Sequence, residues 1–286
     1  MVAIANPTTR GDVAAIFTRL RTYRPTHVDL RTYLTDGPGA ATDLARRFGP
    51  DADVVVAIGG DGTVSEVATA IAGTRTRIAI IPAGSTNIIA RELAIPSSLD
   101  AAINLAFHGE RERLLDVGRV GERMFLHMAG AGLDSHIFAN ADRRLKRRIG
   151  WVAYLPPGFI ALRQPVAEMT LDIDGESMTV ASRLVVVANG SSVVTPRLAL
   201  YPDMVSDDGW LDILIFTAAH PITVARTVGG ILTRRLHRSP DVIHRRGRQI
   251  IIRADPPLPV QLDGEAILTT PVTITIDPGA LRVLVP

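Results

Sequence analysis

Cysteine is absent from the 286 residues, so neither a disulfide nor a thiolate metal site is available, and a reducing compartment such as the cytoplasm is expected. Lysine is nearly absent as well: of the 31 basic residues all but Lys146 are arginine, so a phosphate held by charge must mostly meet guanidinium groups. Aromatics make up only 5 % of the chain, and no recognised nucleic-acid module accompanies its basic runs, so nucleic acid is not an expected partner. No hydrophobic run is long enough to span a bilayer. The longest, 151–162, is broken by Pro156, Pro157 and Gly158 and falls short of the ~20 residues a spanning helix needs. The opening Met1 to Ala5, followed by Asn6-Pro7, is too short and uncharged for a secretory signal, so export is not expected. The seven histidines show no metal-ligand spacing, and Ser191-Ser192 lacks the context of a nucleophile elbow, which leaves an esterase reading without support.

What is present is apolar bulk: at 47 % hydrophobic, the chain can bury two ordinary cores, and the usual ~100 to 200 residues per domain favours two domains. The net charge of +2 hides an uneven distribution. Residues 1–115 are balanced. Segments 137–163 and 219–248, by contrast, hold many arginines against only Asp142 and Asp241, and they predict a basic face carried on helices or loops.

The runs 2–5, 54–58 and 78–81 are short and apolar, and each leads through a Gly- or Pro-bearing turn into a helical pattern. Apolar spacing predicts helices over 13–21, 65–71 and 86–93, and Ser97 with Asp100 resembles a capping box opening another through 107. Residues 1–115 therefore read as an α/β domain with a mainly parallel sheet. Residues 116–286 read as a mainly antiparallel β domain, with strands expected at 115–120, 124–129, 169–173, 178–188, 211–216, 250–253, 260–262, 272–276 and 281–285. Gly121-Glu122 and Asp174-Gly175 suit hairpin turns, and 135–148 and 222–236 are the helical exceptions.

Chemistry concentrates in the turns. Gly59-Gly60-Asp61-Gly62-Thr63 lies between a buried-strand run and a helix, where glycines let the backbone approach a bulky anion and the helix start contributes positive dipole. Asp61 in that setting suits a Mg²⁺ ligand, direct or through water, that neutralises nucleotide phosphates; it also suits a plain helix cap. Pro82-Ala83-Gly84-Ser85-Thr86-Asn87 repeats the strand-to-helix setting, and Asn6-Pro7-Thr8-Thr9 follows the first strand. Three loops rich in amide and hydroxyl donors should thus meet at one carboxyl edge of the sheet, where open α/β folds bind ligands.

These loops, together with Leu115-Asp116-Val117-Gly118, Asp207-Asp208-Gly209-Trp210-Leu211-Asp212 and Leu262-Asp263-Gly264-Glu265, occur in an order that resembles the diacylglycerol kinase catalytic-domain family, which includes bacterial lipid kinases and sphingosine kinases. The resemblance spans essentially the whole chain. It implies an NAD kinase/diacylglycerol kinase-like fold in which a β-sandwich follows the α/β domain, and an ATP-dependent kinase acting on a lipid hydroxyl. The expected reaction converts diacylglycerol to phosphatidic acid, with Mg²⁺ as cofactor. By the same resemblance, Asn6, Arg10, Gly59, Gly60, Gly62, Thr63, Glu66, Gly84, Ser85, Thr86 and Asn87 would surround the nucleotide. Asp61 would hold the catalytic Mg²⁺, Asp116 would join the acidic network facing it, and Glu265 would be the general base. Asp207 and Asp208 resemble a segment holding a structural Mg²⁺, and equally suit a solvated turn.

Three departures mark the chain. Arg10 stands near where relatives often carry a lysine, Ile88 follows Asn87 where many carry an acid, and 191–197 lacks the glycines that commonly follow the Asn189-Gly190 pair. The basic segments 143–148 and 234–248 suit docking on an anionic membrane surface, which would place the protein peripherally on the inner face of the membrane. The reading leaves room for a homodimer. An NAD kinase-like soluble kinase and a non-catalytic lipid or nucleotide sensor of the same fold are the competing functions.

Overall fold

The computed structural model describes residues 1–9, 11–132, 166–191, 200–201, 204–217 and 221–286, so Arg10 and the expected helix and basic run within 135–148 lie outside the described residues. The chain forms two compact units, Met1–Val117 with Gly279–Pro286, and Gly118–Pro278. The expected boundary after residue 115 lies two residues from the first crossing. The return of residues 279–286 to the first unit was not anticipated.

In the first unit, β1 (Val2–Ala5), β2 (Arg31–Leu34), β3 (Val54–Gly59) and β4 (Arg77–Pro82) run parallel in the order β2-β1-β3-β4. β3 is buried at all six positions, as expected of a parallel strand covered on both faces. Helices α1 (Val13–Tyr23), α2 (Ala40–Phe48), α3 (Asp61–Ile71), α4 (Ile88–Glu92) and α5 (Leu99–His108) supply the cover. Ile16, Phe17 and Leu20 of α1 and Ala102, Ile103 and Ala106 of α5 share one core with Ala3, Val56, Ile58, Ala79 and Ile81. The alternate strand residues Ile4, Val55, Ala57, Ile78 and Ile80 are also buried, and α2 and α3 pack on β1, β3 and β4 from that side. β1 connects to β2 on one side and the chain then crosses to β3 on the other. The sheet therefore has a switch point at the carboxyl ends of β1 and β3, where ligand crevices form in such sheets.

Asp12 caps α1, its carboxylate accepting from the Ala14 amide. The expected capping box at Ser97 and Asp100 does not form: Ser98 is the cap residue without a side-chain bond, and Asp100 pairs with Arg19 instead.

Two strands cross between the units, β5 (Glu112–Val120) and the long C-terminal strand, here β16 (Val272–Leu284). Within the first unit, Arg282 and Val283 of β16 lie parallel to Arg77 and Ile78 of β4. The sequence reads as two strands because Pro278 and Gly279 interrupt it. Gly279 takes φ +59° and its amide is bonded by Asp116, so the chain bends without ending the strand.

The second unit contains β6 (Arg123–Phe125), β7 (Met128–Gly132), β8 (Ala167–Ile173), β9 (Glu176–Ser182), β10 (Leu184–Ala188), β11 (Leu211–Phe216), helix α6 (Pro221–Leu232), β12 (Val242–Gly247), β13 (Gln249–Ala254), β14 (Pro259–Leu262) and β15 (Glu265–Thr269). One antiparallel layer pairs β9, β8, β13 and the first half of β16; the other runs β12-β11-β10-β7-β14-β15. Met169, Leu171, Ile250, Ile252 and Ile274 of one layer interdigitate with Ala129, Val185, Val187, Ile213 and Val260 of the other, a β-sandwich core. On its outer face the six-stranded layer buries Met128, Val186 and Leu214 with Leu200, Met204 and Leu236. The expected single strand 178–188 is two, because the chain changes sheets at Arg183, where Ser182 Oγ donates to the Phe216 carbonyl (2.9 Å). Residues 242–247, expected in a helix or loop, form edge strand β12.

Candidate functional site

The loops after β3 and β4 touch backbone to backbone. A Cβ on Gly84 would fall 2.4 Å from Gly60 Cα, and one on Gly59 would fall 2.4 Å from Thr63 Oγ1, so neither position accepts a side chain without displacing main chain or a buried residue. The Ala83 amide donates to the Gly59 carbonyl (2.8 Å), which sets the loops side by side. Asn87, at φ +49°, closes its own loop: Oδ1 accepts from the Gly84 amide (2.9 Å) and Nδ2 donates to the Gly84 carbonyl (3.0 Å). Asp61 links the two loops, its Oδ1 accepting from the Ile89 amide (3.2 Å). The loop after β1 adjoins them, with the Asn6 amide donating to Ile58 O (3.1 Å) and Asn6 Oδ1 accepting from the amide and hydroxyl of Thr8.

Three features of this edge fit a phosphate chain. Helix α3 starts at Gly60, a cap residue that makes no side-chain bond to the first turn, and such a helix start suits an anion. Gly62 is exposed and a Cβ there would meet nothing within 4 Å, so its open face permits close approach of a ligand. Thr9 Oγ1 is buried without a hydrogen-bond partner among the described residues, and the side chains of the half-buried Ser85 and Thr86 make no hydrogen bond among them either. Among the described residues no cluster of three or more His, Asp or Glu side chains is assembled. Asp61 is the carboxylate at this edge that could hold a Mg²⁺ ion, an ion that usually takes one or two carboxylates together with phosphate and water.

In the second unit, Asp263 (φ +47°) and Gly264 (φ +88°) form the tight turn between β14 and β15, and Glu265 is the first residue of β15. The Glu265 side chain is exposed and makes no hydrogen bond among the described residues.

Residues 1–120 match the model of the diacylglycerol kinase catalytic domain, and residues 127–285 match that of the YegS C-terminal NAD kinase beta sandwich-like domain. The chain belongs to the diacylglycerol kinase catalytic-domain family. It is similar to a "Probable lipid kinase YegS-like" of Pseudomonas aeruginosa, 32 % identical over 240 residues that cover 81 % of this chain and 76 % of the relative. It is also similar to a "Diacylglycerol kinase" of Staphylococcus saprophyticus, 30 % identical over 241 residues that cover 82 % and 77 % of the two chains. A crystal structure from Bacillus anthracis, described as a candidate diacylglycerol kinase, superposes with a TM-score of 0.84 at 26 % identity, covering 100 % of this chain and 94 % of the other. The family's lipid-kinase character and two-unit architecture thus hold here, and no described helix is long and apolar enough to cross a membrane.

Set against the family pattern, the structure gathers Asn6, Gly59, Gly60, Asp61, Gly62, Gly84 and Asn87 at the carboxyl edge of the parallel sheet, with Ser85 and Thr86 in the same loop. Thr63 is buried, with its side chain occupying the space a Gly59 side chain would need. Both carboxylate oxygens of Glu66 are occupied at the start of α2, accepting from the amides of Gly39 (3.1 Å) and Ala41 (3.0 Å). Asp116, only 2 % exposed, accepts from the Gly279 amide (2.7 Å). In the second unit Asp207 and Asp208 are exposed. Asp208 pairs with Arg246 and accepts from the Trp210 amide, and Arg246 and Arg248 both lie over the Trp210 ring. The buried Asp212 lies against His244 Nε2 (2.7 Å) and Arg246 Nε (3.5 Å), so Asp208 and Asp212 share Arg246. Sequence reasoning missed Gln261, Asp263 and Asn189 as structural partners of the Glu265 turn. The turn residues were visible, but their partners at 126–128 lie more than a hundred residues away from Asp263.

Proposed function

We propose that the protein is an ATP-dependent lipid kinase that transfers the γ-phosphate of ATP to a lipid hydroxyl, with diacylglycerol as substrate and phosphatidic acid as product. The observation that carries the reading is the paired glycine loop, Gly60 against Gly84 with an open Gly62 at an uncapped helix start, a cradle suited to a triphosphate. Bound Mg²⁺ would neutralise the phosphates, with Asp61 as its protein ligand and Asp116 supporting the acidic environment. Asn6, Ser85, Thr86 and the amides of 60–63 would orient the phosphates, while Asn87 holds the second loop in shape. Glu265, exposed and without a hydrogen-bond partner among the described residues, is suited to accept the proton of the attacking hydroxyl.

The substrate lives in a membrane, and the described part of the basic surface supports recruitment there: Arg234, Arg235, Arg238 and Arg245 are exposed within 234–248. On this reading the protein associates peripherally with anionic lipid on the inner face of the membrane.

Purified protein with Mg²⁺ and γ-labelled ATP should label diacylglycerol in mixed micelles, with the product identified by mass. Label appearing on NAD instead would favour the soluble-kinase alternative, and ATP binding with no transfer to any lipid in an extract would favour a sensor.

A further inference from the structure

A proton acceptor on a hairpin is placed only as well as the turn that carries it. The turn before Glu265 is held on both sides. Asp263 accepts three backbone amides, Leu126 at Oδ2 (2.9 Å) and His127 (2.9 Å) and Met128 (3.0 Å) at Oδ1. Its own amide donates to the Met128 carbonyl (2.9 Å). Hydrogen bonds to an ionised carboxylate are the stronger kind, and three of them hold an aspartate in a backbone region that side chains seldom adopt. On the other side Gln261, 0 % exposed, accepts the Gly264 amide at Oε1 (2.7 Å), where the β14–β15 pairing slips by a bulge between Val260 and Gln261.

The strip that Asp263 grips is itself tied to the core. Asn189, 2 % exposed, donates Nδ2 to the Leu126 carbonyl (2.9 Å), and the amides of Asn189 and Gly190 both donate to the His127 carbonyl (2.9 Å each). Chains of this kind connect the turn to β7 and β10, two inner strands of the six-stranded layer. Glu265 then combines a rigidly anchored backbone with an exposed carboxylate.

We infer that Asp263 and Gln261 are positioning residues that act through Glu265: the Asp263 carboxylate is a backbone anchor rather than a metal ligand or second base, and Gln261 props the glycine of the turn. The inference rests on the reading of Glu265 as the base. It is tested by kinetics with ATP and micellar diacylglycerol on Gln261→Met, Asp263→Asn and Glu265→Gln, and on each of the first two combined with Glu265→Gln. Gln261→Met and Asp263→Asn should each lower kcat by about 10- to 100-fold, the scale of a misplacement near 1 Å, while KM for ATP and the Mg²⁺ dependence stay within about 2-fold of wild type. In the Glu265→Gln background each should cost less than about 2-fold more, because residues acting as a unit are not additive. Wild-type kcat in both single variants, equal losses in both backgrounds, or an altered Mg²⁺ requirement in Asp263→Asn would overturn it.

Amide hydrogen exchange separates this from the kinase reading. Exchange at Leu126, His127 and Met128 should accelerate at least ~10-fold in Asp263→Asn, and unchanged exchange would overturn the anchor whatever the activity. Absence of lipid phosphorylation by the wild-type chain, with that acceleration present, would sink the kinase reading and leave the anchor standing.

Discussion

Replacing Gly84 by alanine tests whether the two glycine loops form a phosphate cradle or merely a tight corner. The added Cβ would sit 2.4 Å from Gly60 Cα, 2.7 Å from Asn87 Oδ1 and 3.1 Å from the Gly60 nitrogen. Ordinary carbon contact needs about 3.5 Å, so the loops must part by roughly 1 Å, since two of these three atoms are main chain. Overpacking of this kind costs about 1–3 kcal/mol of stability. If the loops hold the triphosphate, the same displacement should lower kcat/KM for ATP by about 100-fold. Gly62→Ala supplies the control that distinguishes fold from function, because nothing lies within 4 Å of its added methyl and its φ is not left-handed. There the folded state should gain about 0.4–1 kcal/mol from reduced backbone freedom of the unfolded chain. The methyl should meanwhile block phosphate approach and raise the ATP dissociation constant at least ~10-fold. Thermal unfolding with and without ATP, together with isothermal titration of ATP·Mg, reads both quantities. Gly62→Ala that is stabilised yet binds ATP as tightly as wild type would refute the placement of phosphate over this helix start. Gly84→Ala that is destabilised but keeps wild-type ATP affinity would reduce the paired loops to packing.

Other substitutions probe the remaining assignments. Glu265→Gln should lower turnover at least ~100-fold with unchanged melting temperature, since the side chain is exposed and unbonded among the described residues, and wild-type turnover would remove its role as base. Asp61→Ala should lower turnover by a similar factor and also loosen α4 by releasing the Ile89 amide, a loss of about 1 kcal/mol by denaturant unfolding. Glu66→Ala strips the start of α2 of its acceptors for Gly39 and Ala41 and should cost about 1–2 kcal/mol; a fall in ATP affinity without destabilisation would instead assign Glu66 to the nucleotide. Joint charge reversal, Arg235→Glu with Arg238→Glu, should weaken sedimentation with phosphatidylserine vesicles in a salt-sensitive manner at about 1 kcal/mol or more per site, while turnover on micellar substrate persists.

Much of this molecule is legible in its one-dimensional pattern. Short runs such as Val54–Gly59, apolar at every position and rich in valine, suit a strand covered on both faces, and the glycine turns that follow such runs suit the carboxyl edge of a parallel sheet. Strand β2 was missed because Arg31–Leu34 is exposed or half-buried throughout and carries no buried run, so its place at the sheet edge comes from pairing with β1 rather than from its own residues.

What the chain alone determined is the chemistry on offer: glycines where backbone must come close, acids at Asp61, Asp116 and Glu265, and arginine as nearly the sole cation. Tertiary structure decided which of those groups are already committed. Asp208 is given to Arg246, Glu66 to the amides at the start of α2, and Asp263 to three amides more than a hundred residues away, whereas Glu265, two positions on, is left exposed. Local propensity acts over a few residues, but hydrogen-bond partnership depends on which distant backbone the fold brings within about 3 Å, and that distance is written only in the folded state.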